Sequence, residues 1–178
     1  MPVAERIAPN LAEIHDHPAP PNPTWRWREP TRAKEQQVVS ILSQYCINVS
    51  DIDHAIEFWN GVCGIPVVSR TDIPGATEAV LQSPHGGSRM QLAQHFDEAR
   101  PIDMGTAMWK LYVNTSDCQA LYDKAIAAGC ESVSAPSHTD RWPVTIAFVK
   151  DFDGYLVEFV EYDEAPPAGV PNPKAFTD

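Results

Sequence analysis

Basic residues are scarce in this chain: 13 Lys and Arg stand against 24 Asp and Glu, a formal net charge of −11. With no basic stripe along the sequence, nucleic acid and anionic membrane surfaces are excluded as partners, because phosphate binding draws its affinity from clustered Lys and Arg. Nowhere do about 18 apolar residues run together, and the opening MPVAERIAPN has no apolar run after a basic start. Neither a membrane span nor a signal peptide is expected, and the expected location is the cytoplasm. No G-x-G-x-x-G, Walker, G-x-S-x-G or H-E-x-x-H motif occurs, which removes any footing for nucleotide, serine-hydrolase or zinc-protease readings. The cysteines, Cys46, Cys63, Cys118 and Cys130, form no C-x-x-C pair and read as buried thiols rather than a zinc or redox site. His15, His17, His54 and His85 are scattered, and surface roles are expected for each.

Proline is plentiful, with 17 residues concentrated near the ends, and this sets the domain limits. Residues 1–36, with HPAPPNPTWRWREP, read as a proline-rich arm carrying Trp25 and Trp27, and residues 165–178 as a tail without regular structure. Between them lie two modules, 37–98 and 99–164. Each has a strand ending in valine (Val49, Val113), a Ser-Asp helix cap (Ser50-Asp51, Ser116-Asp117), an amphipathic helix stopped by Gly64 or Gly129, and three more strands. Those strands are expected at 66–70, 77–82 and 88–94, and again at 132–135, 144–149 and 155–161. The helix faces are Ile52, Ala55, Ile56 and Trp59 in the first module, and Leu121, Tyr122, Ala125 and Ile126 in the second. The fold class is α+β, with the unit β-α-β-β-β occurring twice. Asp151 and Asp153 in DFDG read as hairpin-turn chemistry.

This doubled pattern, with INVSD at its start and FVKDFDGYLVEF at its finish, resembles the vicinal oxygen chelate superfamily of glyoxalase I, methylmalonyl-CoA epimerase, extradiol dioxygenases and bleomycin-resistance proteins. The resemblance covers about residues 38–162. It implies two tandem modules forming a curled, open eight-stranded sheet around a cleft, a homodimer, and a small-molecule substrate or ligand. It further implies a divalent-metal site with one ligand on the first and one on the last strand of each module. Counting five residues back from the valines gives Gln44 and Met108; the last strands give Gln91 and Glu158. Two amides, a thioether and one carboxylate make a poor set for zinc. No cofactor is therefore expected, the alternative being a zinc, nickel, iron or magnesium ion held by Gln44, Gln91 and Glu158.

Strand alternation places Cys46, Asn48, Arg89, Lys110 and Tyr112 on the same inward face, with Tyr45, Trp109, Leu111 and Val113 turned to the helices. So polar a face fits a ligand cleft better than a passive core. Within it Glu158, Lys110 and Tyr112 are the candidate catalytic groups: Glu158 takes a proton, Lys110 or Arg89 stabilises developing enolate charge, and Tyr112 donates to an oxygen. An ion pair of Lys110 or Arg89 with Glu158 that braces the sheet is the structural alternative. Gln44, Asn48, Arg89, Gln91 and Met108 are candidate substrate contacts, joined at the cleft mouth by His138, Arg141 and Trp142 from a long loop. The expected function is proton transfer on a small oxygenated or carbonyl metabolite by an isomerase, epimerase or lyase. A sequestering protein of the bleomycin-resistance type and a metal-dependent glyoxalase-like lyase are the alternatives.

Overall fold

The computed structural model describes Ser40, residues 42–96 and residues 102–177. The expected arm, residues 1–36, lies outside the described residues. Among the described residues eight strands form two four-stranded sheets of the same topology. The first contains β1 (Gln44–Asn48), β2 (Val67–Ile73), β3 (Ala76–Leu81) and β4 (Arg89–His95), in the order β1-β4-β3-β2. The second contains β5 (Leu111–Asn114), β6 (Glu131–Thr139), β7 (Val144–Lys150) and β8 (Leu156–Tyr162), in the order β5-β8-β7-β6. In both, the first strand runs parallel to the last, and the other ladders are antiparallel. Among the described residues no ladder joins the two sheets, so the eight strands are hydrogen-bonded as two fours.

The caps work as the sequence implies. Asp51 accepts from the Asp53 and His54 amides at 2.9 and 3.0 Å, and Asp117 from the Ala120 amide at 2.8 Å, each satisfying N–H groups that a helix start leaves without partners. The first helix, α1 (Ile52–Ile56), then widens into a π-helical stretch over Glu57–Val62, with Cys63 N bonded to Phe58 O at 3.0 Å. The extra residue per turn rotates the apolar stripe, so Phe58 and Trp59 are both buried while the expected Ile56 is only partly so. In α2 (Cys118–Ala127), Cys118 and Ala125 are the buried residues; Leu121 and Tyr122 pack partly, and Ile126 is exposed, against expectation.

The two helices and the sheet faces beneath them close one core around Phe58, Trp59, Leu81, Leu92, Val149, Val157 and Phe159. A seam joins the modules at one corner. The Tyr155 hydroxyl donates to the Asn48 carbonyl at 2.7 Å, Ser50 bonds Asp153, and His54 stacks on Phe152 with ring centroids 4.1 Å apart. No described helix is long and apolar enough to cross a membrane.

Candidate functional site

Ladder register decides which residues face each other. In the first sheet Gln44 lies opposite Arg89 and Cys46 opposite Gln91, so Gln44 is one inward position away from Gln91. In the second sheet Tyr112 lies opposite Glu158, which makes Lys110 the residue one inward position away. Lys110, and not Met108, therefore holds the first-strand place of the second module. Two further features keep the same offset of 66 or 67 residues: the caps Asp51 and Asp117, and the amide bonds Val49 N to Ala93 O and Thr115 N to Val160 O, both 2.9 Å. The valine count is off by two because β5 ends on Asn114, one residue beyond its valine, whereas β1 ends on Asn48, one residue before Val49.

Side-chain contacts follow the register. Gln44 Nε2 donates to Gln91 Oε1 at 2.9 Å, and at the equivalent place Lys110 Nζ lies 2.5 Å from Glu158 Oε2. The first pair is neutral and its Gln44 is exposed; the second is charged, with side chains only 11% and 8% exposed. Lys110 Nζ also sits 4.3, 4.8 and 5.3 Å from the ring centres of Trp109, Tyr112 and Phe148, a cage that favours a cation. Burial acts to lower the Lys110 pKa, but Glu158 and the Tyr112 hydroxyl together outweigh it and hold the value above that of an ordinary lysine. Lys110 is thus a fixed positive charge at neutral pH and no base. Glu158 Oε2 is buried, with the Lys110 ammonium as its ion-pair partner.

These donors do not fit the metal that the fold resemblance implies. The place where an imidazole would serve is held by an ammonium, which repels a dication and already neutralises the one carboxylate; the remaining two donors are uncharged amides. Met108 cannot repair the set. In the parallel register it would lie opposite Gly154, in the turn before β8 begins, so it has no ladder partner and stands exposed ahead of β5. Among the described residues no group of His, Cys, Asp and Glu is arranged to hold an ion.

The other expected residues divide into those gathered and those dispersed. Asn48 is on β1 with its carbonyl taken by Tyr155, and Arg89 flanks Gln91 on β4. His138 lies within β6, which runs to Thr139 with two bulges, and pairs with Asp163 at 2.9 Å. Arg141 stacks on Trp142 at 4.6 Å in the following turn. Among the described residues no hydrogen bond, ion pair or ring stacking joins His138, Arg141 or Trp142 to Lys110 or Glu158. Trp109, expected against the helices, is exposed because it precedes β5.

A cleft of about 890 Å³ opens between the modules. Lys110 and Tyr112 reach it, as do Tyr45, Trp59 and Met90 from the first module. Gln44, Gln91 and Glu158 do not line it. Its far wall is the tail, which is tied down by Lys174 to Glu161 at 2.9 Å, by Asn114 Nδ2 to the Pro171 carbonyl at 2.9 Å, and by Phe176 stacked on His85 at 4.3 Å. Sequence reasoning left these tail contacts out. Counting back from the cap aspartates, seven residues in each module, would have found Gln44 and Lys110 as equivalents; nothing in a proline-rich tail announces its docking site.

Residues 41–159 match the family model of the Glyoxalase/Bleomycin resistance protein/Dioxygenase superfamily. A lactoylglutathione lyase of Arabidopsis thaliana is 28% identical over 121 residues, which cover 66% of this chain and 43% of that protein. A lactoylglutathione lyase of Neisseria meningitidis serogroup A is 24% identical over 119 residues, 65% of this chain and 86% of the relative. The crystal structure of glyoxalase I from Zea mays shares the fold, with a TM-score of 0.62 and 21% identity over 70% of this chain and 46% of that one. The chain spans less than half the length of both plant proteins.

Proposed function

Because this chain belongs to the Glyoxalase/Bleomycin resistance protein/Dioxygenase superfamily, we propose that it is an enzyme moving a proton on a small carbonyl-bearing metabolite, as a lyase, isomerase or epimerase, without a bound metal. The observation that carries this is the buried Lys110–Glu158 pair, 2.5 Å apart at the first- and last-strand places of one module. In this reading Glu158, whose Oε2 is held by the Lys110 ammonium, is the carboxylate that accepts the proton from carbon. Lys110 stays charged and stabilises the oxyanion that develops on the neighbouring carbonyl. Tyr112, partnered to Glu158 across the ladder, is placed to donate to a substrate oxygen. The lyase names of the relatives favour an enzyme of that class.

Within one chain, no hydrogen bond or ion pair among the described residues links the Gln44–Gln91 pair to the Lys110–Glu158 pair. We infer a homodimer in which a second copy brings the missing half. The outermost strands β1 and β5, with exposed Tyr45, Trp109 and Tyr112, supply free edges for it.

Exchange in D2O tests the chemistry. A panel of small carbonyl compounds, with and without glutathione, is followed by the loss of their α-proton NMR signals after the protein has been treated with chelator. Exchange by the wild type that falls about 10²–10⁴-fold in Glu158→Gln supports the reading; equal exchange by the variant sinks it. The aromatic ring about Lys110 favours a second reading, capture without chemistry, for which the same panel gives binding and no exchange.

A further inference from the structure

We infer that the open face of the first sheet recognises a carboxylate, with Arg89 as its anchor, so that the metabolite proposed above carries a carboxylate group. The inference rests on that proposal for its place in catalysis, but on independent residues for its geometry.

Among the described residues Arg70, Lys110, Lys150 and Lys174 each reach a carboxylate within ion-pair distance, whereas Arg89, like Lys124 and Arg141, reaches none; of these three, Arg89 is the one with a buried nitrogen lacking a partner. Its Nε–H is buried without an acceptor. A buried donor left in this state costs stability, and such groups in native proteins call for an explanation. Here the explanation lies in the neighbours. Arg89 stands opposite Gln44 in the β1–β4 ladder and two residues before Gln91 on the same face. Gln44 gives its amide to Gln91 Oε1, which leaves the Gln91 amino group as a further donor pointing from the same face.

The Arg89 guanidinium and the adjacent Gln91 amide make a donor-rich patch, with the nearest carboxylate on that face, Glu78, set opposite Ala93 on the far side of Gln91 from Arg89. Planar, bidentate geometry suits a carboxylate, and a single positive charge matches its single negative one. A phosphate dianion would need more positive charge than one arginine gives on a body of net charge −11. The second module has Leu156 at the register position equivalent to Arg89, so this anchor belongs to the first sheet alone.

The test uses the full chain, uniformly ¹⁵N-labelled, with pyruvate as probe and its neutral methyl ester, sodium chloride and inorganic phosphate as controls. Arginine Nε–H resonances are followed during each titration. Pyruvate should move one such signal saturably, that signal should be absent from Arg89→Gln, and the apparent Kd should weaken about tenfold in Arg89→Gln and less in Arg89→Lys, which keeps the charge and loses the fork. Methyl pyruvate or chloride reproducing the shift overturns the inference, and phosphate binding more tightly than pyruvate overturns the carboxylate assignment. Glu158→Gln separates this from the catalytic proposal: pyruvate binding retained there while exchange persists sinks only the chemistry, whereas exchange lost with no pyruvate binding in the wild type sinks only the anchor.

Discussion

The two modules place equivalent pairs at equivalent register and fill them with opposite chemistry. Gln44–Gln91 is a neutral amide pair at an exposed sheet edge; Lys110–Glu158 is a buried ion pair ringed by three aromatic side chains. Backbone pairing is the same in both halves while the side chains differ, neutral and hydrogen-bonded in one half and charged in the other. A duplicated fold permits this because register is fixed by the ladder and the buried face beneath it, leaving the inward side chains free to change.

The largest effect should come from breaking one pair and not the other. Lys110→Met strands the Glu158 carboxylate in a buried setting and should cost about 3–5 kcal/mol in urea unfolding, whereas Gln44→Ala should cost about 1 kcal/mol or less. A double change, Lys110→Met with Glu158→Leu, should recover most of the loss, since replacing both partners of a buried pair is often neutral.

Next is a test of the register itself. With Gln44→His and Gln91→Glu in the background, Lys110→His should create a zinc site at least tenfold tighter than Met108→His does, measured by competition with a chromophoric chelator. Equal affinities would mean that Met108 and Lys110 reach the same place, and the register argument would fail.

The turns before the two last strands give another contrast. Before β4 the turn is exposed at His85 and Gly86, while before β8 Asp151 is buried and its pKa is pushed up to about 7, chiefly by burial and secondarily by the Asp153 charge. The Tyr155 and Asp153 amides, which donate to it at 2.8 and 3.1 Å, offset only part of this. A carboxyl whose folded pKa is raised contributes stability that is complete below its unfolded value and lost as pH climbs to about 7. The wild type should lose about 3 kcal/mol between pH 4 and 7 from this group, and Asp151→Asn should remove that slope while keeping the Oδ1 acceptor. Thermal melts across that range would show it. The smallest effect belongs to the tail: Lys174→Ala, at a half-exposed ion pair, should change stability by about 0.5 kcal/mol.

Much of the fold was legible. Strand alternation, the Ser-Asp caps and the glycines after the helices placed all eight strands and both helices to within a few residues, because each signal is local. What was not legible depends on pairing between distant segments. Trp109 and Met108 read as strand residues until the start of β8 at Leu156 leaves them without partners. His138 read as loop because Ala135 and Pro136 interrupt the pattern, which β6 absorbs as a bulge. Glu158, Lys110, Gln44 and Gln91 were found as an inward set, but which of them pair was beyond sequence, since that needs the ladder.

The docked tail changes how the cleft's dimensions are determined. At the first corner the Asn48 carbonyl is bonded by Tyr155 from the opposite module; at the symmetry-related corner its counterpart Asn114 bonds not the other module but Pro171, which also packs beside Gly87. The tail therefore acts as a shim at this corner, lying between Asn114 of one module and Gly87 of the other. The wall of the cleft is thus a short 3-10 turn, Pro173–Phe176, and its lead-in, so the cleft can be reshaped by substitution at Pro171, Pro173 or Phe176, which belong to neither sheet.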